Sequence, residues 1–222
     1  MGDRNQLRFG MLHRRVFRPP CLEIGSRDSG YTVSFKAAFA PAAGAYLGVD
    51  MEPGPGVDVV LDLTADFSQV AGRLPGPFAT IFCLSVLEHC RQPFRMAENI
   101  QRLLAPGGAL YVSVPFAWEI HSFPVDYWRF TPEAIRLLFP GVEFPPGSCA
   151  YHSQVEDIFY PLAEGPPRLG RVLNRSGRHH GPVYRALSAL LGRSGLVHRA
   201  LPYDYLFPPV QLDMIGHKKE SR

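Results

Sequence analysis

The stretch "FATIFCLSV" at 78–86 carries only Thr80 and Ser85 as polar residues and follows the turn signal "PGP" at 75–77. A β-run this apolar reads as a strand covered on both faces. Such a strand needs helices above and below it, so the chain around it should alternate strand and helix.

That alternation extends to about residue 144. Strands are expected at 21–24, 45–50, 57–63 and 109–116, with a helix after Gly30 that breaks near Pro41 and a short helix at 67–74. A helix at 93–104 aligns Ala97, Ile100, Leu103 and Leu104 on one face, and Pro106-Gly107-Gly108 stops it. Thr131-Pro132-Glu133 opens another, with Thr131 as N-cap and Pro132 at the first helical position. The pattern predicts an α/β fold with a mostly parallel, doubly wound sheet and right-handed crossovers. Beyond residue 145, 161–181 reads as a Pro/Gly/Arg-rich loop, 183–192 as a short amphipathic helix and 210–219 as a terminal edge strand.

The bulk properties narrow the class. The 222 residues, 46% hydrophobic and 19% charged, suit one globular domain. Lys36, Pro41 and Gly44 interrupt the apolar stretch 33–49, and the arginine-rich start lacks an apolar core, so neither a membrane span nor a secretory signal is expected. Four cysteines without a CxxC pair favour a reducing cytoplasm. An acidic body at 21–160 is flanked by basic ends. The basic C-terminal segment is a candidate weak contact for an anionic membrane or phosphorylated ligand, or simply a solvated surface. No aromatic-basic module points to nucleic acid, and His179 and His180 lack partners at ligand spacing, so no metal is expected.

In doubly wound sheets, ligands bind beyond the carboxyl ends of the strands, where strand order reverses. Glu23, Gly25 and Gly30 follow the first strand, and Asp50 and Met51 end the second. Asp50 lies 20 residues past Gly30, a spacing at which an acid reaches a ribose diol. Asp62 and Leu63 follow the third strand, Ser85, Glu88 and His89 the fourth, and Trp118 the fifth.

These blocks resemble a class I S-adenosylmethionine-dependent methyltransferase over about 20–145. "LEIGSRDSG" (22–30) is similar to the first motif, "GVD" (48–50) to the ribose-binding acid and "LDL" (61–63) to the adenine-contacting segment. "LSVLEHC" (84–90) and "LLAPGGALYVSVP" (103–115) are similar to the blocks of the LEH-type group. The resemblance implies S-adenosyl-L-methionine as cofactor, held by Glu23, Gly25, Asp50, Met51, Asp62, Leu63 and Ser85. It also implies a core at 20–145, a basic insertion or lid at 161–205 and an antiparallel last strand at 210–219. The first motif lacks its middle glycine, which a sulfonium ligand without a pyrophosphate tolerates better than NAD or FAD would. Asp62 either contacts adenine or caps a turn, and Glu88 and His89 either hold their loop or take part in chemistry.

"WEIHSFPVDYWRFTPEA" (118–134) leaves the fifth strand where this fold forms its acceptor pocket. Its Trp118, Tyr127, Trp128 and Arg129, with His89, suit a ring-shaped acceptor bearing hydroxyls or an anionic group. The aromatics and Arg129 can equally anchor the loop. The run resembles methyltransferases that accompany polysaccharide and glycan assembly, which implies O-methylation of a sugar or small hydroxylated acceptor. His121 is the expected general base, with Asp126 or His89 in reserve. An inactive binding protein of the same fold and an N- or C-methyltransferase of a small metabolite remain alternatives.

Overall fold

The computed structural model describes residues 2–28, 30, 33–39, 44–121, 125–153, 158–164, 190 and 210–220. Its elements are α1 (Arg4–Leu12), β1 (Cys21–Ile24), α2 (Phe35–Phe39), β2 (Tyr46–Asp50), β3 (Val59–Val60), α3 (Phe67–Ala71), β4 (Phe78–Leu84), α4 (Pro93–Leu103), β5 (Leu104–Ala117), α5 (Pro132–Leu138), β6 (Val142–Glu143), β7 (Cys149–Ser153), β8 (Phe159–Pro161) and β9 (Val210–Lys218). The strands form one sheet in the order β3-β2-β1-β4-β5-β9-β7-β8, with β6 also pairing to β9. β1 to β5 pair in parallel and β9 runs antiparallel to β5, as expected.

Alternation of side chains along the strands divides the core into two layers. On one face, Leu22, Ile81, Cys83, Leu110 and Val112 pack with Val70 of α3, Ile100 of α4 and Ile135 of α5. On the other, Cys21, Phe82 and Tyr111 meet Phe9 of α1 and Phe35 of α2 in a cluster of aromatic rings. α4 begins on Pro93, and Thr131 caps α5 by accepting the Ala134 N–H at 3.2 Å.

Four differences from the sequence reading have physical causes. The expected strand at 57–63 shrinks to Val59–Val60. It lies at the sheet edge, and Asp62 turns the chain away by accepting the backbone N–H and hydroxyl of Thr64, both at 2.8 Å. The last strand is not an edge, because β7 flanks it on the side away from β5. Its charged end is instead a helix cap: Lys218 Nζ donates to the carbonyls of Gln101 and Leu104 at 2.7 and 2.6 Å, closing α4.

α1 is the third difference. Asp3 and Gln6 form a reciprocal capping box, so the arginine-rich start, for which no element was expected, is a helix seated on the sheet. The fourth is β7 and β8, which pair antiparallel beyond β9 where no strand was expected. The expected loop and helix at 161–192 fall mostly outside the described residues. No described helix is long and apolar enough to cross a membrane.

All four cysteines are free and buried. Burial pushes the thiols of Cys21 and Cys149 up to about 11 and raises those of Cys83 and Cys90. An aromatic disulfide reagent should therefore find almost no reactive thiol in the native protein and four in denaturant. Native labelling at the rate of free cysteine would contradict this packing.

Candidate active site

Strand order reverses between β1 and β4, so the crevice opens where Gly25 and Ser85 leave those strands. The loop after β1 is pinned by its backbone: Gly25 and Ser26 donate to the Val49 carbonyl at 2.9 and 3.1 Å, and Asp28 to that of Pro55 at 2.8 Å. Gly25 has φ +72°, and a Cβ there would lie 2.4 Å from Cγ2 of Val86. Arg27 stands at the position of the missing middle glycine and pairs with Glu52. Gly48 permits another close approach, since a Cβ there would sit 2.2 Å from the Gly56 carbonyl.

Asp50 ends β2 with a carboxylate held in place by the N–H of Glu52 at 3.1 Å and of Arg27 at 3.3 Å. Met51 beside it is 64% exposed at the mouth. These two residues and the Gly25 loop come together. Glu23 does not join them: it is buried in mid-strand and accepts the Tyr46 hydroxyl at 2.7 Å, with burial raising its carboxyl above the ordinary range. Leu63 is buried in the core, and Asp62 makes the turn described above.

Ser85 adopts φ +54°, a strained value for a residue with a Cβ. Its hydroxyl accepts from the side-chain amides of Gln6 at 3.0 Å and Gln211 at 3.3 Å, which also reach Ser113 at 2.9 and 3.2 Å. Ser85 thus ties α1 and β9 to the floor of the crevice. The Asp3-x-x-Gln6 capping box is the sequence signal that could have revealed this partner.

The described residues of 118–130 fold onto the turn after β4. Tyr127 and Trp128 donate backbone N–H groups to the Glu88 carbonyl at 2.8 and 3.3 Å, and the Trp128 indole donates to Cys90 O at 2.8 Å. Arg129 is its clasp. It binds both oxygens of Asp126 at 2.5 and 2.7 Å and the carbonyls of Trp118, Glu119 and Trp128. Every guanidinium nitrogen is engaged, which accords with the loop-anchor alternative for Arg129. Arg129 also holds the Asp126 carboxyl, a reserve candidate for the base, down at about 2. Asp126 orients His121, accepting its backbone N–H at 3.1 Å and lying 3.1 Å from its Nδ1.

His89 stands edge-on to His121 with ring centroids 5.0 Å apart, its Nδ1 2.9 Å from the Val125 carbonyl. Below them Glu88 is 1% exposed, and burial pushes its carboxyl up to about 8. Trp118 is half-buried, whereas Tyr127 and Trp128 are 44% and 40% exposed beside the crevice.

A methyltransferase-domain family model matches residues 11–147, which span β1 to β5, the crevice and the histidine segment. The protein belongs to this family. S-adenosylmethionine as methyl donor accords with that membership. The methyltransferase is 38% identical over 63 residues to a ubiquinone biosynthesis O-methyltransferase of Pseudomonas aeruginosa, a match covering 28% of this chain and 26% of that relative. The match thus spans about a quarter of that relative's length.

Among solved structures, it superposes on an S-adenosylmethionine-dependent methyltransferase from Archaeoglobus fulgidus with TM-score 0.56 and 15% identity, covering 96% of this chain and 94% of that one. The N-methyltransferase NodS of Bradyrhizobium japonicum, in complex with S-adenosylhomocysteine, gives TM-score 0.52 and 13% identity over 97% and 87% of the two chains. At these identities the likeness is one of fold.

Proposed function

We propose that this methyltransferase O-methylates a small hydroxylated acceptor, a sugar or related glycan precursor among the candidates. The observation that carries the reading is His121, whose Nδ1 faces Asp126 while Nε2 is left to accept a proton. The 63-residue likeness to an O-methyltransferase and the H-x-x-P-x-D-Y-W-R-F-T-P run at 121–132 support the same chemistry.

Two features of the crevice support the cofactor: Gly25 turns the chain at φ +72°, where a Cβ would strike Val86, and Asp50 holds a carboxylate that can meet two hydroxyls. Asp50 would hold the ribose, and the backbone at Gly25 and the side chain of Met51 would line the remainder. When bound, the cofactor supplies an electrophilic methyl group. The chain's own residues align the acceptor against it, with Trp118, Tyr127 and Trp128 as apolar walls. Aligning the reactants contributes roughly 7–11 kcal/mol at best. His121 takes the hydroxyl proton as the oxygen attacks, while Asp126 and Arg129 keep the imidazole in place.

Calorimetry should detect S-adenosylmethionine binding to the wild type. Asp50→Ala should weaken it about tenfold or more, since a charge-assisted bond contributes about 1.5–3 kcal/mol. A screen of hydroxylated and amine acceptors then tests the reaction. Turnover confined to amines would overturn O-methylation, and no cofactor binding by the wild type would overturn the reading altogether.

A further inference from the structure

We propose that Glu88, His89 and His121 form a binding site for a divalent first-row transition cation on the acceptor side of the crevice. One ligand atom from each lies within 4.8 Å of the other two. Glu88 Oε2 is buried and has no hydrogen-bond partner, an arrangement that a bound cation would satisfy.

The two imidazoles are set as metal-binding histidines usually are. His89 Nδ1 lies 2.9 Å from the Val125 carbonyl and His121 Nδ1 lies 3.1 Å from Asp126 Oδ2. Oxygen acceptors at both Nδ1 positions fix the tautomer, so each ring offers the Nε2 lone pair. Arg129 in turn fixes Asp126 through two hydrogen bonds. The chain thus supplies outer-shell partners as well as the three ligands.

Two nitrogens and one carboxylate oxygen suit Zn²⁺, Co²⁺ or a neighbouring ion better than Mg²⁺ or Ca²⁺, which prefer all-oxygen shells. Bonds of about 2.0–2.2 Å would bring the ligand atoms closer than they now stand. Both histidines are partly exposed, the His121 side chain at 32%, whereas Glu88 is buried. Three protein ligands leave a coordination position open, as catalytic zinc sites do.

An acceptor oxygen in that position would meet the three groups through the ion. This last step rests on the proposed function; binding of the cation does not. With the ion in place, His121 is a ligand, and the acceptor hydroxyl, acidified by coordination, gives its proton to solvent before the oxygen takes the methyl group.

The test uses untagged protein stripped with chelator and titrated with Co²⁺ and Zn²⁺ by calorimetry, with cobalt absorption as the spectroscopic signature. One ion per chain is expected, with affinity falling at least tenfold in Glu88→Gln, His89→Ala and His121→Ala and unchanged in the nearby Glu119→Gln. His121→Ala alters a partly exposed side chain, so it keeps the test sound if a buried substitution unfolds the protein. No binding of either ion by the wild type, or wild-type affinity in the three variants, would overturn the site. S-adenosylmethionine binding is measured on the same samples. Cofactor binding without metal binding refutes only this inference, whereas metal binding without cofactor binding refutes only the proposed function.

Discussion

Asp213→Ala is expected to destabilise the protein by about 3–5 kcal/mol, the cost of breaking a buried charged network by removing one member. Asp213 is fully buried on β9. Its Oδ1 accepts the Tyr111 hydroxyl from β5 at 2.9 Å, and its Oδ2 lies 3.1 Å from Nε2 of His152 on β7. The Tyr111 hydroxyl also lies 3.0 Å from the Gln6 carbonyl of α1, so one carboxylate joins three strands and a helix. Alanine removes an acceptor of the Tyr111 hydroxyl and the carboxyl group that lies beside the His152 imidazole. Asp213→Asn keeps an acceptor for Tyr111 and should lose less, about 1–3 kcal/mol. Urea unfolding of the three proteins checks both figures. An alanine variant within about 0.5 kcal/mol of wild type, the range of surface substitutions, would mean that the network does not hold the strands together.

His121→Ala should lower turnover by about 10²-fold or more while leaving S-adenosylmethionine affinity unchanged. The side chain sits on the acceptor segment, whereas Asp50 and the Gly25 loop belong to the opposite half of the sheet. Its packing contribution is small because it is partly exposed, so the melting temperature should move by only a few degrees. Turnover at saturating acceptor, cofactor affinity and melting temperature measured on one preparation separate the roles. Normal turnover would remove His121 from the chemistry. A loss of cofactor affinity in parallel would mean that it only supports the crevice. The variant cannot distinguish a lost proton acceptor from a lost metal ligand; the metal titration does.

The elements that were legible in the sequence are those whose signals are local. β4 showed itself by a nearly continuous apolar run, α4 by Pro93 and its stripe, and α5 by Thr131-Pro132. Asp50 was legible because glycines and strand ends punctuate the chain around it. The rest depends on partners far along the chain. β7 places a polar His152 in the core, which makes sense only beside Asp213, some 60 residues later. β9 carries a charged end that protects an edge in isolation but caps α4 in the fold.

The site divides in the same way. The cluster from His121 to Arg129 was visible as a group of chemical residue types within nine positions. Their division of labour was not, because Arg129 becomes a clasp only when the carbonyls of Trp118 and Glu119 fold back onto it. Glu88 is buried beneath that same segment, so its unpartnered oxygen could not be read from "LEH".

The position of β9 between β5 and β7 also governs how the chain emerges from the ribosome. Ser113 faces Asp213 across the β5–β9 ladder, so β5 awaits a neighbour translated about a hundred residues later. Until residues 210–218 leave the exit tunnel, β5 presents a bare edge, β7 and β8 have no strand to dock on, and Gln6 lacks Gln211 at the crevice floor. The nascent chain can preassemble β1 to β5, but the sheet closes only after nearly all of the described chain has been made. Until then the half-built sheet carries an exposed apolar strand edge, the kind of surface that favours association between chains.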